Sequence, residues 1–170
     1  MSAKAAVTPS RLLLDTCVWL DNYLGERHNS KAARELIDAA LERDVLLLYA
    51  ATSVKDVHYL VARSLKQLRR ATGEELSEEG AYADNECAWA CIQNMDEIAT
   101  AVPLDGSDIW VARHYKAIHR DVEDNLVVAA AQRAEADILV TDDLDLIKHS
   151  PVAALTPQDA LALLKAGRTR

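Results

Sequence analysis

Phenylalanine is absent from this chain, and glycine, proline and cysteine are scarce. The 170 residues include five Gly, four Pro and three Cys, and half of all residues are hydrophobic. Without Phe, aliphatic side chains and Ala must fill most of the core. Because few Gly and Pro leave little room for long flexible linkers, we expect one soluble domain with a substantial core.

The cysteines and the start of the chain indicate the compartment. An odd number of cysteines, Cys17, Cys87 and Cys91, does not fit a disulfide framework and favours reduced thiols in the cytosol. Cys87 and Cys91 lack a second Cys or His pair with zinc spacing, so we expect both to be buried packing residues. Residues 1–10 have no apolar core of signal-peptide length, and no stretch approaches a membrane span. We therefore expect a cytoplasmic protein that makes no membrane contact.

The chain is acidic, with a formal net charge of −8 and a pI near 5.1. That sign excludes nucleic-acid binding through bulk charge alone, although local basic surfaces remain open. Arg63, Lys66 and Arg70 share one face of a predicted helix, and a second basic group lies between Arg113 and Arg120. Each group is either a solvated surface or a track for phosphates.

Short apolar runs alternate with helical patterns along the chain, which predicts a parallel sheet covered by helices on both faces. The fold class is therefore three-layer α/β/α with a central, mostly parallel sheet of four to five strands. We expect a flexible arm over residues 1–10, one domain over 11–165 and a basic tail over 166–170. The strands are predicted at 11–15, 45–50, 100–104, 138–141 and 152–155, and the helices at 30–41, 54–72, 81–98, 107–119, 122–134 and from 156 onward.

Four aspartates lie where these elements end or begin: Asp15, Asp56, Asp124 and Asp143. Ligands of an open parallel sheet bind outside the carboxyl ends of its strands. Carboxylates gathered there repel one another unless a cation lies between them, and a divalent metal with oxygen ligands is the simplest such cation. Taken singly, each aspartate is also explained as a helix cap or as a partner of the helix dipole.

Two segments carry a resemblance to a known family. The apolar run before Asp15 ends in Asp-Thr, and Asp124 opens an Ala-rich helix that is followed by a strand ending in Thr141-Asp142-Asp143. Together these segments resemble PIN-domain ribonucleases, and in particular the VapC-like toxins of type II toxin–antitoxin systems. The order of helices extends the resemblance over about residues 11–165.

The resemblance implies a PIN-like fold and an endoribonuclease whose acidic pocket holds Mg²⁺ or Mn²⁺. In that family Asp15, Asp124 and Asp143 correspond to the metal-site acids, and Asp56 takes a position where Glu is usual. The catalytic set implied is thus Asp15, Asp56, Asp124 and Asp143, with Thr16, Thr141 and Asn125 as candidate donors that hold carboxylates. Asp142 and Asp145 compete with Asp143, and Asp121 is either a cap or a further acid. The resemblance also implies an RNA substrate, a small antitoxin partner and a homodimer.

Two other functions remain open from the residues. The replacement of Glu by Asp56 favours a non-catalytic PIN-like module that binds RNA or protein. A metal-dependent phosphohydrolase acting on small molecules is the second alternative. Zinc hydrolysis is disfavoured because the five histidines, His28, His58, His114, His119 and His149, show no paired ligand spacing.

Overall fold

A computed structural model describes residues 9–73, 77–117 and 119–167. Four segments lie outside the described residues: 1–8 of the predicted arm, 74–76, 118, and 168–170 of the predicted tail. The domain boundaries proposed above therefore stay a prediction. Among the described helices, none combines the length and the hydropathy that crossing a membrane requires.

Five parallel strands form one sheet in the order β3-β2-β1-β4-β5. The continuous Leu run forms the central strand β1, where Leu13 pairs with Leu48 on one side and Leu139 on the other. This confirms the predicted three-layer class with a parallel sheet. The strands are β1 (Arg11–Leu14), β2 (Leu46–Ala50), β3 (Thr100–Val102), β4 (Ile138–Val140) and β5 (Ala154–Leu155).

The helices connect successive strands and cover both faces of the sheet. The described residues form α1 (Thr16–Tyr23), α2 (Ser30–Leu41), α3 (Ser53–Ala71), α4 (Glu78–Ile98), α5 (Gly106–His114), α6 (Val122–Arg133), α7 (Leu144–His149) and α8 (Pro157–Ala166), with a 3-10 turn over Tyr115–Ala117. The helix predicted over 107–119 is wrong at its end, because α5 ends at His114. Asp105, two residues before the predicted start, caps this helix through a reciprocal capping box with Asp108. The short α7 was not predicted.

Alternation along the strands divides the core between the two faces. Leu12 and Leu14 pack with helices of one face, including α2 and α8, whereas Leu13 packs against α6 on the other. Helix α6 contributes the buried run Val127–Ala131, whose small side chains allow it to lie close to the sheet. The expected burial of Cys91 is confirmed in part, since it packs against the core, whereas Cys87 is exposed and that expectation was wrong.

Hydrogen bonds fix both ends of β1. At its start, the backbone N–H groups of Ser10 and Arg11 donate to Asp137 Oδ2 over 2.7 and 2.9 Å. At its end, the backbone N–H of Asp15 donates to the carbonyl of Val140 over 2.9 Å. The carboxyl ends of β1 and β4 are therefore held side by side, and the residues that follow them lie at one edge of the sheet.

We expect Leu13→Ala to lower the free energy of unfolding by about 2–5 kcal/mol, because Leu13 is fully buried at the centre of the sheet and the substitution leaves a cavity. Urea denaturation of the purified protein measures this loss. Leu68→Ala is the matched control: this side chain is 47% exposed, so its loss should cost well under half as much. Equal losses for the two variants would contradict the assigned core.

Candidate active site

A cleft of about 460 Å³ opens at the carboxyl ends of β1 and β4. It contains all four aspartates predicted as site residues, together with two further acids. The acids that line it are Asp15, Asp56, Glu123, Asp124, Asp142 and Asp143. Asp121 and Asp145 do not line it: Asp121 is the N-cap of α6, where it accepts a hydrogen bond from the Glu123 N–H.

Asp15 is the most buried of the predicted site acids, with an exposed fraction of 7%. It ends β1 and caps α1, so its Oδ1 accepts from the N–H of Thr16 over 2.6 Å. Its Oδ2 accepts from the hydroxyl of Thr141 over 2.7 Å and from the thiol of Cys17 over 3.4 Å. Burial raises the pKa of this carboxyl in spite of those donors, and the charge of Asp143 adds to the rise.

The two threonines differ in what their hydroxyls do. Thr141, fully buried, donates to Asp15 and accepts from the backbone N–H of Asp143 over 3.1 Å, so that it links two acids of the site. This agrees with its expected role as a donor that holds a carboxylate. The Thr16 hydroxyl instead donates to Ser53 Oγ over 2.9 Å, and Thr16 reaches Asp15 only through its backbone N–H.

Asp124 lies in the first turn of α6 and is partly buried. Burial raises the pKa of its carboxyl to about 6, and the negative charge of Asp15 contributes to the rise, while nearby His119 opposes it. A carboxyl whose pKa approaches neutrality beside other carboxylates indicates a site with too much negative charge for the protein alone.

Asp143 is the N-cap of α7, a helix that the sequence patterns did not indicate. Its Oδ1 accepts from the N–H groups of Asp145 and Leu146 over 2.7 and 3.1 Å, which leaves Oδ2 directed toward the cleft. The neighbouring Asp142 also lines the cleft, and burial raises the pKa of its carboxyl. Asp145 is exposed and does not line the cleft, so its position sets Asp145 apart, whereas Asp142 and Asp143 both line the cleft.

His119 belongs to the site although the sequence patterns missed it. Its Nδ1 lies 2.9 Å from Asp124 Oδ2, and its Nε2 lies 3.3 Å from Asp143 Oδ2. One ligand atom from each of the three residues lies within 4.8 Å of the others, among the described residues. A single histidine has no paired ligand spacing, so the sequence pattern gave no sign of His119. The available signal was its place five residues before Asp124, in the short segment that enters α6.

Asp56 lines the cleft and forms an ion pair with Lys55. Lys55 Nζ lies 2.8 Å from Asp56 Oδ1 and 2.7 Å from Glu123 Oε1, so one ammonium group bridges α3 and α6. The hydrogen bonds to both carboxylates raise the pKa of Lys55 above its ordinary value. Asp56 is thus partly neutralised by a neighbour, unlike Asp15.

Asn125 was a candidate donor to the carboxylates, but its side-chain N–H group donates to a backbone carbonyl instead. It is buried, and its Nδ2 donates to the backbone carbonyl of His119 over 2.8 Å. Its Oδ1 is buried and finds no hydrogen-bond partner within the described part of the chain. Asn125 therefore fixes the segment that carries His119.

The donor set of the cleft fits a divalent metal ion. Carboxylate oxygens from Asp15, Asp124 and Asp143 are the ligands that Mg²⁺ and Mn²⁺ take in proteins, and an imidazole nitrogen is acceptable to Mn²⁺. Burial is the main cause of the raised pKa values of Asp15 and Asp124, neighbouring carboxylates add to the rise, and a bound cation would favour the charged form of both groups.

We expect Asp124→Asn to stabilise the metal-free protein at pH 7–8. The pKa of Asp124 is raised in the folded state, so folding favours its protonated form, and stability falls as pH rises through the interval from about 4 to about 6. The amide removes that loss, which we place at roughly 1–2 kcal/mol after allowing for solvent screening. Urea denaturation in EDTA from pH 4 to pH 8 measures it.

The control for that experiment is Asp145→Asn, because Asp145 is exposed and outside the cleft. Its stability should follow pH as the wild type does. A wild-type stability that does not fall between pH 4 and pH 7 relative to Asp124→Asn would contradict the assigned charge crowding.

Comparisons with known proteins place these features in a family. A family model of the PIN domain matches residues 11–145, which include all four predicted acids. No curated protein matches this chain in sequence.

Two solved structures share the fold at low identity. VapBC2 from Rickettsia felis, solved with a DNA fragment from its promoter, superposes with a TM-score of 0.58 at 12% identity, covering 86% of this chain and 98% of that one. VapC20 from Mycobacterium tuberculosis, described as a toxin that cleaves the sarcin–ricin loop, superposes with a TM-score of 0.55 at 9% identity, covering 75% and 86%. Because the family model spans most of the residues from β1 to α7, this chain belongs to the PIN domain family.

Proposed function

We propose that this protein is a metal-dependent endoribonuclease and the toxin of a toxin–antitoxin pair. The observation that carries the proposal is the convergence of Asp15, Asp124 and Asp143 in an open cleft, where burial and mutual repulsion raise the pKa of the first two. The matched PIN family model and the structural likeness to two VapC proteins support it.

In this proposal Asp15, Asp124 and Asp143 hold Mg²⁺ or Mn²⁺, and the catalytic set also includes Asp56. The ion, when bound, would activate water and offset charge on the phosphate and the departing 3′ oxygen. Thr141 keeps the Asp15 carboxylate in one orientation, and the first turn of α7 does the same for Asp143. Since these donors are fixed by strand ends and a helix start, the acids need little reorganisation when an RNA phosphate enters.

A second cleft supports a polymeric substrate over a small one. It has a volume of about 520 Å³ between α3 and α4, and Arg63, Lys66 and Arg70 line it. Tyr59, 62% exposed, lines both clefts and so connects the acidic site to this basic groove. None of the three cations forms an ion pair with another described residue, which leaves them available to phosphates, and Tyr59 offers a ring on which a base can stack.

The proposed partners follow from the family and from exposed apolar residues. The resemblance to VapC-like toxins implies a small antitoxin, and we propose such a partner for this chain. Ile109 and Trp110 of α5 are both at least half exposed, which is typical of a protein interface and supports the proposed homodimer. A cytoplasmic location agrees with an RNA substrate and with the free cysteines.

One observation favours the rival function of a non-catalytic binding module. Asp56 stands where Glu is usual in the family, and Lys55 pairs with it. A site weakened in this way would bind RNA or protein without turnover. A small-molecule phosphohydrolase would not need the basic groove that continues from the cleft.

We expect Asp15→Asn and Asp124→Asn each to reduce internal cleavage of RNA by about a hundredfold or more, because each removes a charged ligand from the site. Gel analysis of single-stranded and structured RNA with Mn²⁺ or Mg²⁺ measures this, and EDTA should abolish wild-type cleavage. Asp145→Asn serves as the control and should retain activity. Cleavage that survives both substitutions would refute the site, and a wild type inactive on every RNA and metal would favour the binding module.

Replacing Arg63, Lys66 and Arg70 by Ala together should weaken RNA binding and lower the slope of log Kd against log salt concentration by about 2. Fluorescence anisotropy in EDTA measures binding without cleavage. The control is Lys165→Ala, since Lys165 is a surface cation on α8, far in the chain from the groove. An unchanged salt slope in the triple variant would contradict the proposed RNA track.

A further inference from the structure

We propose that His119 is a metal ligand of this site and gives it a preference for Mn²⁺ and similar transition ions over Mg²⁺. The inference rests on the metal-dependent site proposed above and goes beyond it, because that proposal assigns only carboxylates. Neither the sequence patterns nor the motifs of the family resemblance indicated a histidine here.

The ring of His119 lies between two proposed ligands. Its Nδ1 is 2.9 Å from Asp124 Oδ2 and its Nε2 is 3.3 Å from Asp143 Oδ2, so both nitrogens lie close to carboxylates of the site. One ligand atom of each of these three residues lies within 4.8 Å of the other two, which is close enough for one metal ion to contact all three. The side chain is only 17% exposed. An imidazole in that place has one nitrogen free to coordinate whenever the other carries the proton.

The protein holds this histidine in place from three directions. Its backbone N–H donates to the carbonyl of Tyr115 over 3.0 Å, and its carbonyl accepts from Asn125 Nδ2 over 2.8 Å. The N–H of Asp121 donates to Nδ1 over 3.2 Å, which requires the proton of the neutral ring to be on Nε2. The buried Asn125 thus has a role that its sequence position did not reveal, since it fixes the segment that presents the ring.

The tautomers determine which nitrogen is available. While Nδ1 accepts from the Asp121 N–H, the ring proton is on Nε2; a metal ion that takes the Nε2 lone pair, beside Asp143, requires the proton to be on Nδ1, near Asp124. A carboxylate that accepts from one ring nitrogen while the other binds metal is a common arrangement, and it raises the basicity of the ligand. Asp124 could therefore orient His119 as well as offer its own oxygen.

Because Asp56 is paired with Lys55, a further metal ligand is useful at this site. Lys55 occupies one side of the Asp56 carboxylate, so Asp56 contributes less negative charge to the cleft than Asp15 or Asp124. His119 supplies a donor next to Asp124 and Asp143 without adding negative charge to a crowded group of acids. Because imidazole suits transition ions and Mg²⁺ strongly prefers oxygen ligands, a histidine ligand should make the site prefer Mn²⁺ over Mg²⁺.

The opposite role makes the opposite prediction. If His119 acted only as a cation that neutralises Asp124 and Asp143, it would compete with metal, and its removal would strengthen metal binding. The same variants therefore decide between the two roles.

The experiment measures metal binding without RNA, by calorimetry with MnCl₂ and with MgCl₂ near pH 8, together with pulsed EPR of bound Mn²⁺ to detect coupling to a ¹⁴N nucleus. We expect His119→Gln to weaken Mn²⁺ binding by about tenfold to a hundredfold, to affect Mg²⁺ much less and to abolish the nitrogen coupling. His119→Glu, which offers a carboxylate oxygen instead, should bind Mg²⁺ at least as tightly as the wild type and give no nitrogen signal. The control is His114→Gln, since His114 Nδ1 is bonded to the Trp110 carbonyl outside the cleft.

The outcomes separate this inference from the proposed function. Unchanged or tighter Mn²⁺ binding by His119→Gln, or no nitrogen coupling in the wild type, would overturn the role of His119. Loss of metal binding by Asp15→Asn in the same assay would still support the proposed metal site. Absence of metal binding by the wild type at millimolar concentrations would overturn both. Circular dichroism checks that each variant is folded, and metal binding by His119→Glu excludes misfolding as the cause of a loss.

Discussion

The hydrogen bond from the Thr141 hydroxyl to Asp15 is the contact on which the rest of the cleft depends. It joins the residue after β1 to the residue after β4, at the point where the two strands are already linked by the Asp15 N–H and the Val140 carbonyl. Because Thr141 also accepts from the N–H of Asp143, this one hydroxyl fixes two acids relative to each other. Both threonine and carboxylate are buried, so water competes little for the bond.

The same arrangement buries carboxylates close to one another, so the electrostatic cost of the fold is concentrated in the site. Burial raises the pKa of both Asp15 and Asp124; the charge of Asp143 adds to the rise at Asp15, and the charge of Asp15 adds to the rise at Asp124. A chain selected for stability alone would replace such groups by neutral ones of the same shape. Their retention at the open end of the sheet is the physical argument that they serve a ligand, and a cation is the ligand that their charge favours.

The acids are not equivalent, because each is attached to a different support. Asp15 is tied to the central strand, Asp143 to the start of α7, and Asp124 to the first turn of α6. Asp56 is paired with Lys55, which also reaches Glu123, so this side of the cleft is partly neutralised by the protein itself. His119 lies between Asp124 and Asp143. The site therefore combines three carboxylates, a nitrogen donor near two of them and a fourth acid that is paired with a lysine.

The amino-acid sequence by itself determined the layers and the rough position of the site. The apolar run before Asp15 required a strand buried on both faces, and the Ala-rich segment after Asp124 required a buried helix, so a parallel sheet with acids at its carboxyl edge followed from local patterns. Local patterns could not choose between Asp142, Asp143 and Asp145, because that choice depends on α7, whose six residues are too few to give a periodic signal. They also could not show that Lys55, the sequence neighbour of Asp56, also reaches Glu123, or that His119 lies beside Asp143. Those contacts join α3 to α6, and the loop before α6 to the start of α7. Only the packing of the helices around the sheet brings such groups together, because they are far apart in the chain.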